Sequence, residues 1–184
     1  MVGRRRLEIL EYDEDWPLFF EREAGPLRNI FGKAIVEMFH VGSTSVPGLL
    51  AKPTIDILIE VERGTDIPLH NPRMESLGYI CRGECLDAPM PGTPGRFYFV
   101  RKAGVVHLVH VHVCTTGHPD IHEKLYFRGY LRTHPDVALE YGTLKQRLAK
   151  EFEYDNLEYM RGKDAFIKDV VADSVAWHRL GAGT

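Results

Sequence analysis

The stretch from His40 to Ile57, HVGSTSVPGLLAKPTIDI, constrains this chain most. It reads as the end of one strand, a glycine-serine turn, and a second strand that opens near Thr54. The isoleucine-rich run from Thr54 to Val61 reads as that strand. One carboxylate, Asp56, lies inside that apolar run. It is unfavourable there unless it reaches an edge, a metal or a cation. Gly42 lets the backbone leave the first strand sharply. Ser43, Thr44 and Ser45 supply hydroxyls and amide N–H groups that, aimed one way, form an anion nest suited to phosphate. Lys52 can add a point charge to the same ligand. The turn matches neither the Walker nor the dinucleotide-binding pattern, so a plain turn with Asp56 on a local donor explains the same residues.

The elements on either side form a consistent order. Asp13 or Asp15 can cap a first helix with Pro17 in its first turn, and Gly25-Pro26 should kink or split it. Strands are expected at Ala34–Val41 and Thr54–Val61, a short helix at Pro68–Leu77, and strands at Tyr79–Leu86, Arg96–Lys102 and Val105–Cys114. The last two join at Ala103-Gly104 as a hairpin, and Asp87–Gly95 reads as a loop. After Thr116 the character becomes helical: Pro119–Arg132, Pro135–Phe152 and Leu157–Leu180. The fold class is α+β, a mixed sheet of about five strands flanked by helices with a C-terminal helical bundle. Residues 1–116 form the sheet region and 117–184 a helical region packed on it, one compact unit.

Composition narrows the partners. Acidic residues outnumber basic ones by 26 to 23, giving a net charge of −3, so general nucleic-acid binding is not expected. No apolar run is long enough to span a membrane, and the basic start lacks the apolar core of a signal peptide. Three cysteines in a chain of 184 residues fit a reduced, cytoplasmic protein.

Nine histidines are unusual, and three of them fall in His107-Leu-Val-His110-Val-His112-Val-Cys114. Alternation along a strand puts His110, His112 and Cys114 on one face and turns His107 away. Imidazoles at ~6.8 Å along a strand can converge on one ion. His118 and His122, at i and i+4, are candidates to complete such a site or are simply caps. Arg128 and Arg132 are also i and i+4, and basic residues aimed at a cleft recognise phosphate.

The run HVGSTSVPGLLAKPTIDILIEV closely resembles the signature of the GrpB-like family, a branch of the nucleotidyltransferase superfamily with a polymerase-β-like palm sheet. The similarity extends to Tyr12–Trp16, Leu77-Gly78-Tyr79, the histidine strand, YFRGYLR at 126–132, Lys145 within 141–148, and 163–167. The resemblance implies that Gly42-Ser43 holds the phosphates of a nucleotide and that Asp56 matches the first metal-binding aspartate. It places the histidine strand beside Asp56, so that Asp56, His110 and His112 would form one divalent site, with magnesium, manganese or zinc as candidates. The superfamily's second aspartate would fall at Leu58, which cannot bind metal. Glu60 lies ~13 Å from Asp56 along the strand, too far to share an ion. An aspartate usual between Arg128 and Tyr130 is Gly129 here.

The implied function is metal-dependent nucleotidyl transfer to an unknown acceptor, with Asp56 and Ser43 as catalytic candidates. Gly42, Ser43, Thr44, Ser45, Lys52, Arg128, Arg132 and Lys145 would bind phosphate. Two alternatives remain. One is a non-catalytic nucleotide or metabolite module tied to coenzyme A metabolism, since some relatives are joined to a dephospho-CoA kinase. The other is a hydrolase using a single ion held by His and Asp.

Overall fold

A computed structural model describes residues 6–86, 88 and 92–181. Five strands form one sheet in the order β1-β2-β5-β4-β3. They are β1 (Ile35–Val41), β2 (Ile55–Val61), β3 (Tyr79–Cys81), β4 (Arg96–Ala103) and β5 (Val106–Thr115). The β2–β5 pair is parallel; β1–β2, β5–β4 and β4–β3 are antiparallel. Six helices accompany the sheet: α1 (Trp16–Phe31), α2 (Asn71–Ser76), α3 (Pro119–Thr133), α4 (Pro135–Glu151), α5 (Asn156–Gly162) and α6 (Asp164–Arg179). The mixed α+β architecture is the one expected from the sequence.

One sheet face is closed by α1 and α2. Ile57, Ile59, Val111, Val113 and Phe99 pack there against Trp16, Leu27, Ile30 and Met74. On the other face Val41, Leu58 and Cys114 meet Ile121 and Leu125 of α3. Strand β2 is therefore enclosed from both sides, as its composition requires. The helical layer has its own core, where Val46 and Leu49, just beyond the glycine-serine turn, pack with Leu131, Tyr141 and Val170. That core joins the turn to α3, α4 and α6.

Four expectations change. Helix α1 runs through Gly25-Pro26 without splitting. Its buried stripe of Trp16, Phe20, Ala24, Leu27, Ile30 and Phe31 outweighs the hydrogen bond that Pro26 cannot donate. Strand β3 ends at Cys81 rather than Leu86, and the backbone at Cys85 is left-handed with φ +56. The final helix is two helices, because Asp155 caps α5 through the Leu157 and Glu158 amides and α5 closes at Gly162. A Cβ on Gly162 would lie 2.5 Å from the Leu148 side chain of α4, so α4 and the end of α5 meet closely here. Strand β5, third in the order of the sheet, carries a bulge: Arg101 pairs with Val109 but Lys102 with His107, leaving Leu108 unpaired. Of the expected loop at Asp87–Gly95, residues 87 and 89–91 lie outside the described residues.

Candidate phosphate-binding site

The site begins where β1 ends. Gly42 has φ +71, and Ser43–Ser45 form a single 3-10 turn after it. A Cβ on Gly42 would sit 2.3 Å from Asp56 Oδ2, so the turn lies directly against the carboxylate. The three hydroxyls then divide. Thr44 Oγ1 bonds His40 Nε2 at 3.0 Å and donates to the Thr54 carbonyl, while Ser45 Oγ donates to the Gly42 carbonyl at 2.6 Å. Thr44 and Ser45 are buried and hold the turn together. Ser43 faces the helices, where it accepts from Lys145 Nζ at 2.9 Å and is hydrogen-bonded with Tyr141.

Helix α3 supplies the next layer. Asp120, Lys124, Arg128 and Arg132 follow at i+4 intervals and share one helix face. Asp120 is tied to Arg96 of β4 at 2.7 Å. Arg128 Nη1 donates to the His40 carbonyl at 2.7 Å, and Arg132 donates to the Ser45 carbonyl through Nε at 3.0 Å and Nη2 at 2.6 Å. The guanidinium groups thus grip the backbone at both ends of the turn. Lys145 of α4 does the same on the far side through the Leu50 carbonyl. Lys52, expected over the turn, instead donates to Asn156 at 2.9 Å and lies 3.8 Å from the Tyr159 ring centre. Its short, proline-flanked segment carries it towards α5.

The electrostatics centre on Asp56. Burial pushes its carboxyl up, but the hydrogen bond and charge of His110, with Lys124 and Lys163 beyond, leave it below the usual carboxylate range. Its side chain is packed around by protein yet 28% accessible, the condition of a group on a cleft floor. Lys145 is 2% exposed, and burial, reinforced by Lys163, lowers its ammonium to about 6. Lys124 is also lowered, by burial and by Arg96. His40 falls to about 4 through burial, against the opposing charge of Asp56.

The histidines do not assemble as expected. The bulge at Leu108 brings His107 onto the face of His110, where Nδ1 of His107 lies 2.8 Å from Nε2 of His110. The other nitrogen of His110 lies 3.0 Å from Asp56 Oδ1. Asp56, His110 and His107 therefore form a hydrogen-bonded chain rather than a coordination set. His112 stacks on Tyr98, ring centres 5.0 Å apart, and its buried Nδ1 has no partner. Burial, with the charges of Lys124 and Arg96, holds His112 well below the ordinary imidazole range. His118 caps α3 and contacts the Pro94 carbonyl, and His122 stacks on Tyr126. Among the described residues no three His, Cys, Asp or Glu side chains converge as a metal-binding group. Leu58, where the resemblance would expect a second aspartate, is fully buried against Ile121 and Leu125. The donors present do not fit the two-ion arrangement, nor the Asp56/His110/His112 ion.

Lys124, Tyr141 and Tyr98 join the site without having stood out in the sequence. The spacing Asp120-Lys124-Arg128-Arg132 was the signal for Lys124. Tyr141 and Tyr98 gave none, because an aromatic at helical or strand spacing reads as core.

This geometry, a glycine-serine turn against a strand carboxylate beneath a basic helical layer, defines a protein of nucleotidyltransferase-like fold. The fold of a Cid1 poly(U) polymerase crystal structure with Mg 3'-dATP bound superposes with a TM-score of 0.52 at 10% identity. That match covers 77% of this chain and 43% of the polymerase. The chain belongs to the GrpB family: residues 6–173 match the family described as GrpB protein. The crystal structure of a conserved GrpB protein from Enterococcus faecalis is 37% identical with a TM-score of 0.85, covering 93% of this chain and 99% of that one. UPF0157 protein YqkA of Bacillus subtilis is 38% identical over 179 residues. That alignment takes in 97% of this chain, which spans only half the length of YqkA. A dephospho-CoA kinase of Mycolicibacterium paratuberculosis is 24% identical over 204 residues, covering 96% of this chain and 49% of the kinase. No helix among the described residues is long and apolar enough to cross a membrane.

Proposed function

We propose that the cleft between the glycine-serine turn and helices α3 and α4 binds the phosphate groups of a nucleotide or similar phosphorylated small molecule. The observation that carries this reading is Lys145. A buried lysine held against a serine hydroxyl, with its charge suppressed to about 6, gains most from an anion arriving beside it. Arg128 and Arg132 fix the turn so that its outer amides and Ser43 face that anion. Transfer of the bound nucleotidyl group to an acceptor is the reaction that the fold's other members suggest. Likeness to half of a dephospho-CoA kinase adds coenzyme A precursors to the ligands worth testing. The single-ion hydrolase has no observation in its favour, since its three donors do not converge.

The test is a thermal-shift screen of ATP, UTP, inorganic pyrophosphate and dephospho-CoA. A ligand at about a hundred times its Kd stabilises by about 2.7 kcal/mol, or roughly 5–11 °C at this chain length. Lys145→Met is expected to abolish the shift. If no phosphate compound moves the melting curve of the unmodified protein, the reading is wrong.

A further inference from the structure

Resting on the phosphate reading, we propose that Lys124, and not a divalent ion, provides the positive charge over Asp56, so that this cleft takes its phosphate ligand without metal. The position of Lys124 follows from its neighbours on α3. One turn before it Asp120 is anchored to β4, and one turn after it Arg128 is anchored to β1. The sheet order between those strands is β2 and β5. Lys124 therefore lies over the strands that carry Asp56 and His112; Asp56 pairs with His110 across the parallel pair, and His112, two residues on, pairs with Leu58. Its charge acts on both of them and on Cys114.

The carboxylate is already engaged. Oδ1 of Asp56 faces Nδ1 of His110, and Oδ2 lies against Gly42. A second carboxylate is replaced by the buried Leu58. Ion coordination would have to break the Asp56–His110 pair and then compete with a fixed ammonium nearby. Anion binding needs neither. The same layer holds three buried polar atoms without partners: Nε of Arg96, Nε of Arg128 and Nδ1 of His112. Buried nitrogens left unpaired are rare and costly, and two of these are obligate donors. With Lys124 they leave hydrogen-bond capacity unmet along the layer between sheet and helix, of the kind that the oxygens of an anion satisfy. A cation would satisfy none of the arginines.

Isothermal titration with ATP tests this, in excess EDTA and in excess magnesium or manganese. Binding in EDTA should equal or exceed that with metal. Lys124→Met should weaken binding in EDTA by roughly tenfold or more, the usual worth of a charge-assisted hydrogen bond, with Lys124→Arg restoring much of it. Asp56→Asn keeps an acceptor for His110 and removes a negative charge, so it should bind ATP equally or more tightly. Binding that appears only with metal and vanishes in Asp56→Asn overturns the proposal while leaving the phosphate reading intact. Absence of binding by ATP, UTP, pyrophosphate and dephospho-CoA alike, in both conditions, refutes the phosphate reading, and this proposal with it. Lys124→Met should fold, since it replaces a buried charge by an apolar chain of similar length. Should it not, the Asp56→Asn and EDTA results decide the matter alone.

Discussion

Lys145→Met should change how stability depends on pH, and the size of the change follows from the burial of one ammonium. In the folded protein that group titrates at about 6; in the unfolded chain it returns to 10.5. Between those values the unfolded chain binds one proton more than the folded one, so stability rises with pH, by about 1.36 kcal/mol per unit. From pH 7 to 8.5 this lysine alone adds about 2 kcal/mol, or roughly 4–8 °C in Tm. The window stops short of the range where tyrosine titrates, and the cysteines, which begin to titrate at its upper end, are common to parent and variant. At pH 7 keeping the lysine neutral costs about 5 kcal/mol, offset in part by its bonds to Ser43 and the Leu50 carbonyl, worth about 1 kcal/mol each. The variant should therefore be more stable than the parent at pH 7, with the gain shrinking by about 2 kcal/mol by pH 8.5. Urea denaturation of both proteins at four pH values measures this directly. Parallel pH profiles would refute the reasoning, because they would mean that Lys145 keeps its proton when the chain folds.

Four further outcomes are expected. Near neutral pH, ATP binding should take up about one proton as the anion restores the charged form of Lys145, seen as a dependence of titration heat on buffer ionisation enthalpy; no dependence would contradict it. Gly42→Ala should cost at least about 2 kcal/mol, from a left-handed backbone and a clash with Asp56, read as a lower urea midpoint. His40 titrates at about 4 folded and 6.5 unfolded, so stability should fall by about 2 kcal/mol between pH 6.5 and 4.5, and His40→Gln should escape that part of the loss. Leu58→Asp, which puts a second carboxylate on β2 two residues from Asp56, should cost more than about 4 kcal/mol because the site is apolar and closed, and a near-parental Tm would show otherwise.

The fold was legible because its signals were local and repeated: the apolar run of β2, the alternation of β5, and helix starts such as His134-Pro135-Asp136. The turn and Asp56 were legible for a different reason, since a carboxylate in an apolar strand demands an explanation. What escaped the sequence was register and tertiary reach. A single unpaired residue, Leu108, reverses the side on which His107 stands, and no alternation rule contains it. The arginines are long enough to choose a backbone carbonyl over a ligand. Pro26 sits inside a helix because burial on the opposite face decides the matter, and that face is visible only once the sheet exists. The family resemblance likewise brought Asp56, His110 and His112 near each other without fixing which nitrogen faces which oxygen.

The grip of the helical layer on the turn has a kinetic consequence. Arg128 holds the carbonyl before the turn, Arg132 the one that ends it, and Lys145 a third beyond. To swing α3 away, several such bonds must break together, at about 1 kcal/mol each and more for those made by charged groups. A gap of 3–4 kcal/mol leaves the opened form near one molecule in several hundred. A ligand seated beneath α3 should thus leave no faster than that rare opening allows, and its residence time becomes a property of the side chains that hold the turn as well as of those that touch the ligand.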